Sequence, residues 1–98
     1  MAKQVVWSPR SRRELNEILE FCIQNNKSNS YSKKLTKLFE EATQLISQHP
    51  NMGRVTNDKT ARFKVVRDYL MIYEEVNDKI YILTIWDGAQ DPEKLKIR

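Results

Sequence analysis

Between Ala61 and Asp87 apolar and polar positions alternate in three short runs, the period of two that marks β-strands. In the first run Arg62 and Lys64 alternate with Phe63 and Val65, so one strand face is cationic and the other apolar. In the second, Tyr69, Met71 and Tyr73 alternate with Leu70 and Ile72. In the third, Ile80, Ile82 and Trp86 alternate with Tyr81, Leu83 and Ile85. Apart from Thr84 this last run is apolar on both faces, which places it inside a sheet. Arg67-Asp68 and Asn77-Asp78 supply the turns of an antiparallel meander. Asn and Asp tolerate the left-handed backbone of a tight hairpin.

Upstream the period lengthens. Lys3 to Trp7 reads as a β-branched edge strand. Ser8 can cap a helix with Pro9 at its first position, or Ser11 can cap it with Glu14 in a capping box. Leu15, Ile18, Leu19 and Cys22 keep the i, i+3, i+4, i+7 spacing of an amphipathic helix. Asn25 to Ser30 is a polar linker. Leu35, Leu38, Phe39, Ala42, Leu45 and Ile46 form a second stripe that ends before Pro50, with Lys33, Lys34 and Lys37 outward and Lys37 spaced to pair with Glu41. His49 to Arg54 is a turn in which Gly53 is suited to positive φ, and Val55 to Thr60 is a loop. Asp91-Pro92-Glu93 reads as N-cap, N1 and N2 of a short helix through Leu95. The order β-α-α-β-β-β predicts an α+β fold. It comprises an antiparallel four-stranded sheet with the first strand beside the last, a helical hairpin packed on one face, and a short C-terminal helix, in a single domain spanning residues 1–98.

Composition narrows the chemistry. The chain has one cysteine, one histidine and two glycines among 98 residues, with a net charge of +4. A lone Cys22 on an apolar stripe is a core residue of a protein from a reducing compartment. No apolar run is long enough to span a bilayer, and the expected location is the cytoplasm. One Cys and one His leave no metal-ligand spacing and no nucleophile–base pair, so no metal or cofactor is expected. Glu74 and Glu75 are adjacent in a strand and point to opposite faces. The position of His49 at a helix end suits interaction with the helix dipole. What remains is cationic: Arg62, Lys64 and Arg67 along the meander, Arg54 from the turn, and Arg12 and Arg13 in the first helix. Such groups can bind phosphates, stabilise the transition state of a metal-free RNA cleavage, or dock an acidic partner.

The opening VVWSPRSRRELNEILEF, the turn HPNMGR, the meander RFKVVRDYLMIYEEVNDKIYILTIWD and the tail WDGAQDPEKL, in this order and spacing, resemble the ParE/RelE superfamily of bacterial toxins from toxin–antitoxin (plasmid stabilisation) modules. The resemblance covers nearly the whole chain. RelE-like members are ribosome-dependent mRNA endoribonucleases, and in that branch Arg62, Lys64 and Arg67 would be the catalytic set. The branch carries an arginine where this chain has Leu70, and catalytic groups near the C-terminus where it has Trp86-Asp87-Gly88-Ala89-Gln90. The PNMGR turn and the VVRDYLMIY strand look more like ParE-like members, which are non-enzymatic. That resemblance implies binding to DNA gyrase, neutralisation by a cognate antitoxin, and a homodimer or a hetero-oligomer with that antitoxin. On this reading Arg12, Arg13, Arg54, Arg62, Lys64, Arg67, Trp86, Lys94, Lys96 and Arg98 are the candidate contacts to target or antitoxin, with no catalytic residue. A third reading is a toxin fold that has lost toxicity and serves as a binding module.

Overall fold

The computed structural model describes residues 3–26, 29–56, 59 and 61–88. The elements are β1 (Gln4–Trp7), α1 (Pro9–Asn26), α2 (Asn29–Gln48), β2 (Arg54–Val55), β3 (Arg62–Val66), β4 (Tyr69–Val76) and β5 (Lys79–Asp87). The α+β class, the helical hairpin and the meander are as the pattern predicts. The sheet is not. It has five strands in the order β1-β5-β4-β3-β2 and is mixed, because β1 pairs with β5 in parallel. The expected antiparallel four-stranded sheet is overturned on both counts. The expected helix over Asp91 to Leu95 lies outside the described residues.

The parallel pair follows from where the helices deliver the chain. Near the end of α2, the Ser47 carbonyl accepts the Lys3 N–H at 3.0 Å and the Ser47 hydroxyl donates to the Lys3 carbonyl. The chain therefore returns to the starting end of β1. β3 leaves from that end, each of two hairpins reverses direction, and β5 runs the way β1 runs. The extra strand β2 is two residues taken from what reads as turn and loop. Arg54 pairs with Phe63 and Val55 with Arg62.

Ser8 is the cap of α1. Its Oγ accepts the Ser11 N–H at 3.0 Å, Pro9 occupies the first helical position, and the Ser8 N–H is bonded to the Ile82 carbonyl. α1 buries Cys22 fully and half-buries Leu15, Ile18 and Leu19. α2 buries Leu35, Phe39, Ala42 and Ile46 against Met71, Tyr73, Ile80, Ile82 and Ile85 of the sheet. Each such large apolar side chain contributes about 1.5–3 kcal/mol by leaving water. Leu45 departs from the predicted stripe and is 43% exposed. The Lys37–Glu41 pair does not form among the described residues, whose ion pairs include Lys3 with Glu75 and Asp78, and Arg10 with Glu14.

β5 carries a bulge. Tyr73 pairs with Ile82 and Ile72 with Thr84, leaving Leu83 as the extra residue. A bulge shifts the alternation by one. Ile80 and Ile82 before it, and Ile85 after it, therefore share the helix side, whereas strict alternation would have grouped Trp86 with Ile80 and Ile82. Asn77 and Asp78 take φ of 52° and 66° at the β4–β5 hairpin, as expected. Gly53 does not take positive φ, and its role is one of space. No helix of the described residues is long and apolar enough to cross a membrane.

Candidate functional site

The pairing register decides which way the basic strand faces. Arg62 pairs with Tyr73 and Lys64 with Met71, both of them core residues under the helices. Phe63 pairs with Ile72 and Val65 with Leu70, which in turn pairs with Trp86. The cations of β3 therefore lie on the helix side of the sheet. The face turned away from the helices carries the apolar set Phe63, Val65, Leu70, Ile72 and Trp86. The open face of the sheet is therefore not a basic one. The reason is positional. β3 lies near the sheet edge, so its helix-side residues meet the rim of the hairpin and can keep charged heads in water while their stems pack.

Arg62 is occupied by the backbone. Its guanidinium donates to the Gly53 carbonyl at 2.8 Å and the Asn51 carbonyl at 3.4 Å. The fully buried Tyr73 completes the clamp. Its hydroxyl donates to the Pro50 carbonyl at 2.9 Å and accepts the Gly53 N–H at 3.0 Å. A β-carbon on Gly53 would meet the Tyr73 hydroxyl and the Phe63 carbonyl, which explains the glycine. The turn from Pro50 to Gly53 is thus held by two side chains of the sheet. Beside it lies a cavity of about 270 Å³ lined by Lys59 and Arg62 but also by Glu74 and Glu75, so its charge is mixed.

Two tyrosines titrate late. Burial pushes the Tyr69 hydroxyl up to about 12, with Cys22, Asp87 and Tyr31 adding to the effect. Burial also raises Tyr73, against smaller lowering contributions from the Gly53 N–H and Arg62. In the unfolded chain both ionise near 10. Their neutral forms therefore favour the folded state fully below pH 10, and that contribution is lost as pH rises through the folded values. The expected outcome is a melting temperature that falls between about pH 10 and pH 12, and falls less in Tyr69→Phe. Melting by circular dichroism across that range checks it, and parallel curves for the two proteins would refute it.

Lys64 and Arg67 stand at a second place. With Leu38, Glu41, Leu45 and Val65 they line a groove of about 190 Å³ between α2 and β3. Arg67 opens the β3–β4 hairpin at φ 54°, and its guanidinium lies 5.8 Å from the centroid of the Tyr31 ring on α2. The three cations do not converge. Arg62 and Arg67 are five residues apart along a strand and its turn, about 17 Å, and Arg62 is tied to the 50–53 turn. Arg54, Arg12 and Arg13 are exposed, the first on the edge strand and the other two on α1. Trp86 lies near the end of β5, its indole N–H buried and without an acceptor among the described residues. Lys94, Lys96 and Arg98 lie outside the described residues. The sequence reading missed Tyr73 and Tyr31 as partners of the arginines. The signal for Tyr73 is its pairing with Arg62 in the strand register, which a sequence without pairings does not disclose, and Tyr31 on α2 meets Arg67 only through the packing of helix on sheet.

These features define a class: a small basic α+β domain that presents dispersed cations beside exposed apolar side chains and keeps its polar groups busy with its own backbone. The model of the family described as the ParE toxin of the type II toxin–antitoxin system, parDE, matches residues 5–92, and the chain belongs to this family. Among solved structures, the chain is similar to one from the chromosomal ParDE toxin–antitoxin system of P. aeruginosa. The TM-score is 0.76 and the identity 14%, covering 88% of this chain and 96% of that one. That likeness is one of fold. No curated protein sequence matches the chain.

Proposed function

We infer that this protein is the toxin of a type II module that acts by binding its target, DNA gyrase, in the cytoplasm, and is silenced by a cognate antitoxin. The observation that carries this reading is the ParE family match across residues 5–92. The geometry is consistent with binding in preference to cleavage. Electrostatic catalysis needs donors aimed at one developing charge. Here Arg62 serves the turn, and Arg67 stands about 17 Å along the strand from it. Arg12, Arg13 and Arg54, exposed on two separate elements, are available to an acidic partner, and an antitoxin tail that folds on binding is such a partner.

The test uses the purified protein in two parallel assays. Inhibition of gyrase supercoiling with accumulation of cleaved DNA is expected, with no ribosome-dependent cut sites on mRNA by primer extension. Cut sites that disappear in a Lys64→Ala/Arg67→Ala variant, with supercoiling untouched, would replace this reading by the endoribonuclease one. Folded protein inactive in both assays, and harmless on expression, would favour a binding module that has lost toxicity.

A further inference from the structure

The cavity by the 50–53 turn has mixed charge and an arginine already committed to backbone carbonyls. The recess near Trp86 is rimmed by Glu14, Glu17 and Asp87. Of these, Glu14 is bound to Thr84 and Ile85, and Asp87 also has a partner. The sheet face turned away from the helices differs from both. It is apolar, and α1 and α2 lie on the other side of the sheet.

Ile72 stands in the middle of that face, with β3 on one side and β5 on the other. It is 1% exposed, nearly as deeply buried as Tyr73 beside it. Yet it is not part of the core cluster that the helices cover. Side chains on an uncovered face stand out from the sheet and keep their tips in water. Trp86 supplies a second observation on the same face. Its indole N–H is buried with no acceptor among the described residues, and buried donors are nearly always paired. Burial fades toward the β3 side, where Phe63 is half-buried and Val65 is 55% exposed. The missing cover therefore lies over β4 and β5, where no described element runs.

We propose that this cover is the C-terminal segment 89–98 of the same chain, laid across the face with Leu95 and Ile97 inward. The proposal is independent of the toxin reading. The burial of Ile72 is complete within one chain, so it needs no second copy. The other positions outside the described residues, 1–2, 27–28, 57–58 and 60, come in pieces of one or two. Those at 27–28 join the helices. Those at 57–60 lie in a loop at the sheet edge, closed on itself by bonds between Thr56 and Ala61. Segment 89–98 follows Gly88, whose N–H is held by the Asp68 carbonyl at 2.7 Å. It therefore starts two residues past Trp86. From Gly88 to Leu95 an extended chain reaches about 23 Å, whereas β3 and β5 lie about 10 Å apart.

The sequence of the segment suits the place. Lys94-Leu95-Lys96-Ile97-Arg98 alternates cation and apolar residue. On a chain lying flat on an apolar face, a period of two puts Leu95 and Ile97 against Ile72 and Trp86 and turns Lys94, Lys96 and Arg98 outward. A backbone carbonyl of the segment then supplies the acceptor for the Trp86 indole. The consequence is a change of surface: a face that is apolar on its strands becomes a second small core with a basic exterior.

The experiment uses the full-length chain carrying Trp7→Phe, which leaves Trp86 as its only tryptophan. Quenching of its fluorescence by acrylamide is measured over a wide range of protein concentration. Leu95→Asp/Ile97→Asp and, as a control on the outward face, Lys96→Asp are added to this background. Each protein is first shown to be folded by circular dichroism. The expected result is at least a threefold rise in the quenching constant for the double variant, and less than a twofold change for Lys96→Asp. Equal quenching in the background and the double variant overturns the proposal, because the described side chains then bury the indole alone. So does an equal rise in Lys96→Asp. So does protection that is lost on dilution as a dimer dissociates, which gives the face to a second copy. The contact is also read in the parent chain by NMR. Cross-peaks from the Leu95 or Ile97 methyls to the Ile72 methyls or the Trp86 ring are expected. Their absence overturns the proposal even where the double variant fails to fold. None of these outcomes bears on the toxin reading.

Discussion

A Gly53→Ala variant is expected to lose about 3 kcal/mol of stability. The added methyl has nowhere to go. It would sit 2.8 Å from the Phe63 carbonyl, which is backbone in the β2–β3 pair and cannot swing aside, and against the Tyr73 hydroxyl. Overpacking of this kind costs about 1–3 kcal/mol. Displacing the turn also strains or breaks the bonds from the Gly53 N–H to Tyr73 and from Arg62 to the Gly53 carbonyl, each worth about 1 kcal/mol. For a domain of this size the melting temperature should fall by about 15 °C. Tyr73→Phe keeps the buried ring and loses the hydroxyl, so it should cost about half as much, through the unpaired Pro50 carbonyl and Gly53 N–H. Thermal and urea unfolding of the three proteins read the difference. If Gly53→Ala melts within 2 °C of the parent, the turn is plastic and the Tyr73–Arg62 clamp does not hold it.

This clamp shows where sequence reasoning reached and where it stopped. The turn, the glycine and the arginine were all visible as residues. Their relation was not, because it depends on Arg62 pairing with Tyr73 across β3 and β4. Local pattern specified the helices, their capping and the meander well, since apolar period and turn chemistry agree along those stretches. It misjudged the sheet for two physical reasons. Strand direction beside β1 is set by where the helical hairpin ends, a long-range property fixed by Ser47 meeting Lys3. The two residues of β2 are too short for any periodicity. The face assignment failed similarly. Alternation in β3 correctly separates Arg62 and Lys64 from Phe63 and Val65, but alternation alone does not say which set faces the helices. Near a sheet edge the answer ran against the usual hydrophobic-in expectation. The basic residues were legible as candidates. What the structure adds is that one of them serves the fold and two line a groove, a division that separates binding chemistry from scaffold.

The bulge in β5 leads to the second large effect, a loss of roughly 3 kcal/mol on Glu14→Ala. Along α1, Ser8, Ser11 and Glu14 recur every three residues and all turn to β5. The Ser8 hydroxyl donates to the Leu83 carbonyl at 3.0 Å and the Ser11 hydroxyl to the Ile82 carbonyl at 2.9 Å. One Glu14 carboxylate oxygen accepts the Thr84 hydroxyl at 2.7 Å and the Ile85 N–H at 3.3 Å. Leu83 is the residue with no partner on β4, and β1 ends opposite Ile82, so these bonds serve the length of β5 that runs past the end of β1. Thr84 is fully buried and Ile85 nearly so. Truncating Glu14 leaves a hydroxyl and an amide without acceptors, each costing about 1–3 kcal/mol. Glu14→Gln retains a carbonyl acceptor and should recover about half of the loss. Pairing Glu14→Ala with Thr84→Val tests the assignment directly, because Thr84→Val removes the stranded hydroxyl. The double variant should be at least 1 kcal/mol more stable than the sum of the single losses predicts. Strict additivity would mean that the helix and the bulge are stabilised independently. The consequence extends to the surface: the extra residue at Leu83 turns Ile85 into the core and Trp86 to the opposite face. Relaxing the bulge would slip β5 by one residue, bury the wrong side chain, and remove Trp86 from the apolar face that it shares with Leu70 and Ile72.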